Sequence, residues 1–516
     1  MTGNKKGQRL LIVSNRLPLK LTRERSGTWR LDRGSGGLVT ALAPVLRNRG
    51  GVWIGWPGIP QEKAPPNLGE LLDRAGRDLG YRIAPVGLSR REQRLFYEGF
   101  SNEVIWPLFH ELPTLANFDP TYWLAYHQVN RKYAEAIAAE SQPDYFVWVH
   151  DYQLMLVAQE LRALGVNSYV AFFLHIPFPP LDVFLKIPWR LEILNALLQF
   201  DLLGVQTARD RRNLLDCFRA LMPDVKWHGR GRVVVGQVND RFVRIGDFPI
   251  SIDYRSFVRR AGSKEVLAVR DGIRKTLANC KILLGVDRLD YTKGIPHRLQ
   301  AFREALREYP DLVGKTTLIQ VVVPSRTGVA QYRRLRAEIE RLVGAINGEF
   351  TKPGWVPIHY IFRSLAPDEL LGYYRAADVA LITPLKDGMN LIAKEYCVTN
   401  VDNDGVLILS EFAGAASQLQ NGAILVNPFH VQQVASAIHQ ACTMPITERK
   451  RRMKKLRQSI RKQDIFWWVD SFLRSAIAKD LSEFPQLDEY MPLSTPPETV
   501  LSGTETYSAS PRPTNS

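Results

Sequence analysis
The chain has 516 residues, 45% of them hydrophobic and 23% charged, with a formal net charge of +16. These proportions are those of a globular protein long enough for two or more domains, and they exclude a fibrous or wholly disordered chain. The basic balance suits a phosphorylated or polyanionic partner. No aromatic RNA-binding pattern or finger-type Cys/His spacing accompanies it, so a nucleic-acid role is not expected.

The N-terminus, MTGNKKGQRLLIVSNR, carries basic residues but an apolar run too short for a signal peptide. No stretch approaches the length of a membrane-spanning helix, so the reading places the protein in the cytoplasm with no membrane partner. Short apolar runs then alternate with amphipathic stretches. RLLIVSN, GVWIGW, YFVWVH, YVAFFLH and DLLGVQ read as strands, followed after a polar stretch (Asp253 to Asn279) by KILLGVD, TTLIQVVV, PIHYIF, DVALIT and GVLILS. Several are apolar on both faces, as strands covered by helices must be. YWLAYHQVNRKYAEAIAAE and GVAQYRRLRAEIERLVGAI read as helices between them. This alternation predicts an α/β protein of two doubly wound domains, divided near residues 250–260. Cys217, Cys280, Cys397 and Cys442 lie far apart without a CxxC, which predicts reduced core thiols and neither disulfides nor zinc. Nine of the fourteen residues from Arg449 to Lys462 are Lys or Arg, read as a solvated helix face or a surface for an acidic partner. The tail from Met491, rich in Ser, Thr and Pro, is expected to be disordered.

Ligands of doubly wound domains bind beyond the carboxyl ends of the strands. The first strand ends in Ser14, Asn15 and Arg16, where Arg16 is either a bidentate phosphate ligand or a solvated turn residue. Gly34, Gly36 and Gly37 open a helix and would let a ligand approach backbone amides. They match neither GxGxxG nor a P-loop, which disfavours a dinucleotide enzyme or an ATPase. YFVWVH ends in His150, Asp151 and Tyr152, and YVAFFLH ends in His175; the carboxylate and the imidazoles are suited to sugar hydroxyls and to proton handling. Arg288 and Lys293 leave KILLGVD close together, which calls for an anion such as a diphosphate, or else for ion pairs with Asp287 or Asp290. Arg326, in VVVPSRTG, repeats the pattern. After DVALIT the chain reads PLKDGMNLIAKEY. A helix starting there would aim the free amides of Gly388, Met389, Asn390 and Leu391 at an anion, with Glu395 about one turn further on to accept from a ribose.

In this order SNRLP, GSGGL, FYEGFSNEVIWPLFH, WVHDYQL, FFLHIPFP, GVDRLDYTKG, PSR and TPLKDGMNLIAKEY resemble the trehalose-6-phosphate synthases, from about residue 9 to about 475. The resemblance implies a GT-B fold: an acceptor-binding Rossmann-like domain at 1–252, a UDP-glucose-binding one at 253–462 facing it across a cleft, a helix at 463–490 crossing back to the first domain, and a tail at 491–516. It implies a retaining glucosyltransferase that moves glucose from UDP-glucose to glucose 6-phosphate. Neither metal nor other cofactor is expected, the partners are small molecules, and the oligomeric state is left open.

Carried over by motif, Arg16, Tyr97, Asp151 and Arg326 would hold the acceptor, with Arg16 and Arg326 on its phosphate. Gly36 and Gly37 would face the donor, His175 would sit by the donor sugar, and Asp387 would contact it. Arg288 and Lys293 would grip the diphosphate. Gly388, Met389, Asn390, Leu391, Ile392, Ala393, Lys394 and Glu395 would bind the nucleotide, through backbone amides and, at Glu395, through the ribose, together with the loop of Leu365 at the uracil, where backbone contacts would tolerate the leucine. Trp106 and Ile176 would line the anomeric region. Asp151, His175, Arg288, Lys293 and Asp387 form the expected catalytic set. Two departures stand out: Gln153 where some members have His, and Leu365 where some have an aromatic. The segment LKLTRERSGTWRLD reads as an added charged loop, and the DND at 402–404 as turn chemistry rather than a metal site. A sister transferase using another phosphorylated acceptor, such as glycerol 3-phosphate, and a silent sugar-phosphate sensor on the same fold remain as alternatives.

Overall fold
The computed structural model describes residues 9–23, 29–34, 37–142, 145–326, 329–478, 481, 484–487 and 489–490. Gly36 and the tail from Met491 lie outside them. Tyr145–His150 is buried at every position, and so are nearly all of Arg9–Arg16, Lys281–Arg288 and Thr316–Val323. Strands of this kind must be covered on both faces, and the chain meets that demand twice.

The first lobe holds a nine-stranded sheet in the order Arg82–Pro85, Gly51–Trp56, Arg9–Arg16, Tyr145–His150, Tyr169–Phe173, Leu202–Val205, Arg241–Asp247, Val233–Val238, Lys226–His228. It is parallel up to Arg241–Asp247, and an antiparallel hairpin closes that edge. The second lobe holds six parallel strands in the order Ile358–Ile361, Thr316–Val323, Lys281–Arg288, Val379–Ile382, Val406–Ser410, Ile424–Val426. The lobes face each other across a cleft as the GT-B reading expects, and the strands end in exposed Arg16 on the first lobe and exposed Arg288 on the second.

The final helix, Ile465–Ile477, starts on Asp464, whose carboxylate accepts from the amides of Phe466 and Trp467. It crosses to the first lobe. Trp468 stacks on Trp148 with centroids 5.0 Å apart, Phe472 lies 4.4 Å from Trp148, and Trp468 Nε1 donates to the Phe248 carbonyl at 3.0 Å. A Cβ at Gly204 would come within 2.6 Å of the Phe472 ring, so the close docking depends on that glycine. The connecting segment at 248–252 is held from both sides. Lys394 of the second lobe donates to the Ile250 carbonyl at 2.7 Å, and Gln206 of the first accepts from the Ile250 amide at 3.0 Å.

Three segments differ from the reading of the sequence. LKLTRERSGTWRLD is not simply a loop: Leu19–Arg23 pairs antiparallel with Trp29–Arg33, with Leu19 and Leu21 buried in the alternation that the intervening charges obscured. The polar stretch after Asp253 forms two helices, Tyr254–Ala261 and Lys264–Thr276, capped by the side chains of Asp253 and Ser263. They bury few residues, hence the weak apolar signal. The helix of the PLKDGMNLIAKEY segment begins at Leu391, not at Met389, because Asn390 is the N-cap, with φ 73° and its side chain accepting from the Ala393 amide.

Candidate active site
The strand-end residues converge on Trp106. Arg326 lies over its ring at 4.2 Å and Arg288 at 5.7 Å, one from each of two neighbouring strand ends of the second lobe. Arg16, from the first lobe, lies 4.2 Å over Trp56 and 5.6 Å over Tyr97. Burial pushes the Tyr97 hydroxyl up, but Arg326, Arg16 and Arg288 together outweigh it and leave the group below the usual tyrosine range. Among the described residues only Arg326 of these three arginines meets a carboxylate, Asp290 at 3.4 Å. Arg326 also reaches the hydroxyls of Tyr332 at 2.5 Å and Tyr152 at 3.3 Å. The site therefore carries positive charge in surplus, as a place for phosphate groups must.

Tyr97 and Trp106 reach this point because the helix at Gln93–Ile105 is wound with π-type turns, which turn Tyr97 and Asn102 inward. Asn102 accepts from the Tyr152 hydroxyl at 2.9 Å and so holds the tyrosine that Arg326 touches.

Asp151 has φ 79° and ψ 165°, a conformation that costs a non-glycine residue on the order of 1–3 kcal/mol. Arg326, Asn390 and Glu111 also have positive φ, as do Asn239 and Asn403 in turns elsewhere. Asp151 accepts from the His175 amide at 3.2 Å. Burial pushes its carboxyl up to about 6, partly offset by the amides of Tyr152 and His175 and by Arg288 and Arg326.

His175 is pushed down to about 3 by burial, and its Nε2 lies 3.1 Å from His150 Nδ1. At neutral pH it is therefore uncharged. An uncharged imidazole both donates and accepts, which suits the sugar hydroxyls expected beside this histidine.

On the donor side Lys293 Nζ donates to Asp387 at 2.7 Å, and Asn390 Nδ2 donates to the same carboxylate at 3.0 Å. The expected alternative partners are engaged elsewhere: Asp287 by Arg298, and Asp290 by Arg326 and the Thr292 amide. Gly388 closes the cleft against the first lobe, since a Cβ there would lie 2.3 Å from the His175 carbonyl oxygen and 3.1 Å from Ile176. Lys386, beside it, pairs with Glu111 across the cleft at 2.6 Å. Glu395 accepts from the Tyr374 hydroxyl at 2.9 Å, and burial raises its carboxyl.

Not every expected residue comes to the site. Lys394 turns its side chain to Ile250 at the lobe connection, because consecutive helical residues point about 100° apart, so the role expected of it on the nucleotide rests on its backbone amide alone. Leu365 packs partly buried against the core, and Met389 is buried. The DND segment is a turn: Asp402 pairs with Arg375 at 2.8 Å and Asn403 has φ 58°. No group of three potential metal ligands occurs among the described residues, and none of their helices is long and apolar enough to cross a membrane.

The supporting residues are His110, Tyr332, Tyr374 and the fully buried Arg298, which the reading of the sequence missed, and Tyr152, which it placed at a strand end without a role. His110 stacks 4.2 Å from Trp106 and bonds its carbonyl through Nδ1 at 2.7 Å, and burial lowers it to about 4. Its signal was the histidine closing FYEGFSNEVIWPLFH.

Residues 8–478 match Glycosyltransferase family 20. The chain belongs to that family. It is 43% identical over 480 residues to the trehalose-6-phosphate synthase of Mycolicibacterium vanbaalenii, covering 92% of this chain and 97% of that one. A Burkholderia xenovorans α,α-trehalose-phosphate synthase (UDP-forming) in complex with glucose 6-phosphate superposes with a TM-score of 0.81 at 34% identity, over 91% of this chain and 100% of that one. An E. coli structure of the same kind, bound with UDP-2-fluoro glucose, gives 0.79 at 34%, over 91% and 98%. The family membership agrees with the resemblance read from the motifs, and the crossing helix and facing lobes agree with its fold.

Proposed function
We propose that this family-20 chain transfers glucose from UDP-glucose to the anomeric hydroxyl of glucose 6-phosphate, giving α,α-trehalose 6-phosphate and UDP. The observation that carries the reading is the convergence of Arg16, Arg288 and Arg326 from two lobes on Trp106 and Tyr97, of which only Arg326 pairs with a carboxylate among the described residues. One sugar phosphate and one diphosphate need that charge. The acceptor lies in the first domain, at 1–252, with its phosphate on Arg16 and Arg326 and its hydroxyls on Asp151 and Tyr97. The donor lies in the second, at 253–462, with its diphosphate on Arg288 and Lys293 and its ribose on Glu395.

The acceptor C1 hydroxyl attacks the anomeric carbon as the bond to UDP breaks, and its proton passes to the departing phosphate oxygen on the same face. That geometry retains the α configuration without a protein base, which fits a His175 that stays neutral. Negative charge grows on the β-phosphate. Arg288 and Lys293 supply the counter-charge that a divalent cation gives in other transferases, so the reaction needs no metal. Asp387, fixed by Lys293 and Asn390, is placed to hold the donor glucose, and Trp106 and Ile176 wall the place where the two sugars meet.

The product tests the reading. With UDP-glucose and glucose 6-phosphate in EDTA, proton NMR should show a 1,1-linked disaccharide phosphate with both anomeric couplings of α type. A β coupling overturns the front-face route, and glucosylglycerol phosphate as the preferred product with mixed acceptors moves the chain to the sister activity.

A further inference from the structure
A second cavity, of about 460 Å³, opens between the lobes beside the lobe connection, lined by Gln206, Thr207 and Pro249 of the first lobe and Gly414, Gln418 and Ser459 of the second. None of the expected substrate residues lines it. Its outer wall is the helix Ile446–Lys462, which contributes Lys455 and Lys462, seven residues and so about 10 Å apart on one face. Neither lysine has a carboxylate partner among the described residues, whereas the two acids at the cavity are engaged. Asp247 pairs with Arg211 at 3.3 Å, and Glu489 with Arg212 at 2.5 Å. The cavity thus keeps two cations in excess, beside a wall of amides and hydroxyls. Gln418 Nε2 donates to the Ser459 carbonyl at 3.2 Å and Ser459 Oγ donates to the Gln418 carbonyl at 3.1 Å, which fixes the two side chains of that wall.

The cavity is joined to the active site by direct contacts. Gln206 bonds His175 Nδ1 at 3.4 Å and accepts from the Ile250 amide of the lobe connection. A Cβ at Gly414 would lie 1.9 Å from the Gly388 carbonyl oxygen, so this wall rests on the loop that closes against His175.

We propose that this cavity is an effector site for a phosphorylated polyol, with Lys455 and Lys462 taking the phosphate, the amides and hydroxyls taking the polyol, and occupancy altering turnover through Gln206 and Gly414. Cations suit the phosphate, and side-chain amides that both donate and accept suit a chain of hydroxyls. A volume of this size holds a six-carbon phosphate. Binding stands independently of the proposed transfer, while the coupling to turnover rests on it.

The test titrates the full chain, saturated with UDP and glucose 6-phosphate, with mannitol 1-phosphate, mannitol or inorganic phosphate by calorimetry, and repeats it on K455A/K462A. Both lysines are exposed, so the double variant should fold, which its melting curve checks. One mannitol 1-phosphate should bind per chain, at least tenfold tighter than mannitol or inorganic phosphate and at least tenfold weaker in the variant. The UDP release rate, measured separately with UDP-glucose, should change on saturation in the native chain alone. No saturable binding, equal affinity in the variant, or inorganic phosphate binding as tightly overturns the site. Binding that leaves kcat and KM unmoved overturns the coupling. A chain that binds mannitol 1-phosphate but releases no UDP with any acceptor keeps the site and refutes the transferase reading instead.

Discussion

Lys293 and Asp387 form an ion pair of 2.7 Å that joins two loops of the second lobe at the mouth of the cleft, and both side chains are largely shielded from water. Burial opposes ionisation of Asp387, but Lys293 and the Asn390 amide overcome it and hold the carboxyl below its usual range. Arg288, assigned to the same diphosphate, is exposed and has no carboxylate partner among the described residues. The two cations should therefore separate in mutagenesis. Lys293→Ala leaves a shielded carboxylate unpaired and should cost about 3 kcal/mol of stability as well as activity. Arg288→Ala should cost on the order of 2–4 kcal/mol in transition-state stabilisation and leave the fold nearly unchanged. Paired denaturation curves and kcat/KM values check this; equal destabilisation by both, or turnover unchanged in both, refutes the assignment.

Asp151 links stability to pH with the opposite sign from a salt-bridged carboxylate. Its folded pKa, about 6, lies above the ordinary 3.8, so the folded state holds the proton more tightly and stability falls as pH rises between those values. Asp151→Asn removes that penalty and should stabilise the protein by up to about 3 kcal/mol above pH 6. The same change removes the acceptor-binding carboxylate. Wild-type kcat/KM for glucose 6-phosphate should rise through about pH 6, and the variant should be more stable and poorly active. A flat profile, or a destabilised variant at pH 7, contradicts the role.

Arg326→Ala should raise the KM for glucose 6-phosphate at least tenfold while moving the KM for UDP-glucose much less, because its contacts lie on the acceptor side with Tyr152 and Trp106. Steady-state kinetics with each substrate varied separately decide it. An equal rise in both places Arg326 elsewhere.

Gly388→Ala tests the closeness of the lobes. The new Cβ would meet the His175 carbonyl oxygen at 2.3 Å, so the lobes or the 387–390 loop must shift by the order of an ångström. Displacement of that size typically costs about 100-fold in rate. We expect kcat to fall by about that factor with the melting temperature nearly unchanged, since the collision lies at the cleft. Full activity in the variant would show that the reaction does not use this closure.

Much of the site was legible because apolar runs end abruptly in charge. Arg16, Asp151, His175 and Arg288 each follow a strand whose burial leaves no other reason for a polar terminus. What stayed hidden depends on side chains distant in the chain. Tyr374 and Glu395 are 21 residues apart, and Tyr152 and Arg326 are 174 apart. No local period announces such pairs. Arg298 looked like an ordinary helical cation, yet it is buried and joins Asp287, Gln320 and Thr383 beneath the donor loops.

In the proposed reaction the two lobes bring UDP-glucose against a phosphorylated glucose. Its most direct test is UDP release by the purified chain in EDTA, at saturating UDP-glucose, with glucose 6-phosphate added or withheld. Release should be rapid, should require glucose 6-phosphate and should be far slower with water or glycerol 3-phosphate. Release that is independent of glucose 6-phosphate, or none at all, would contradict it.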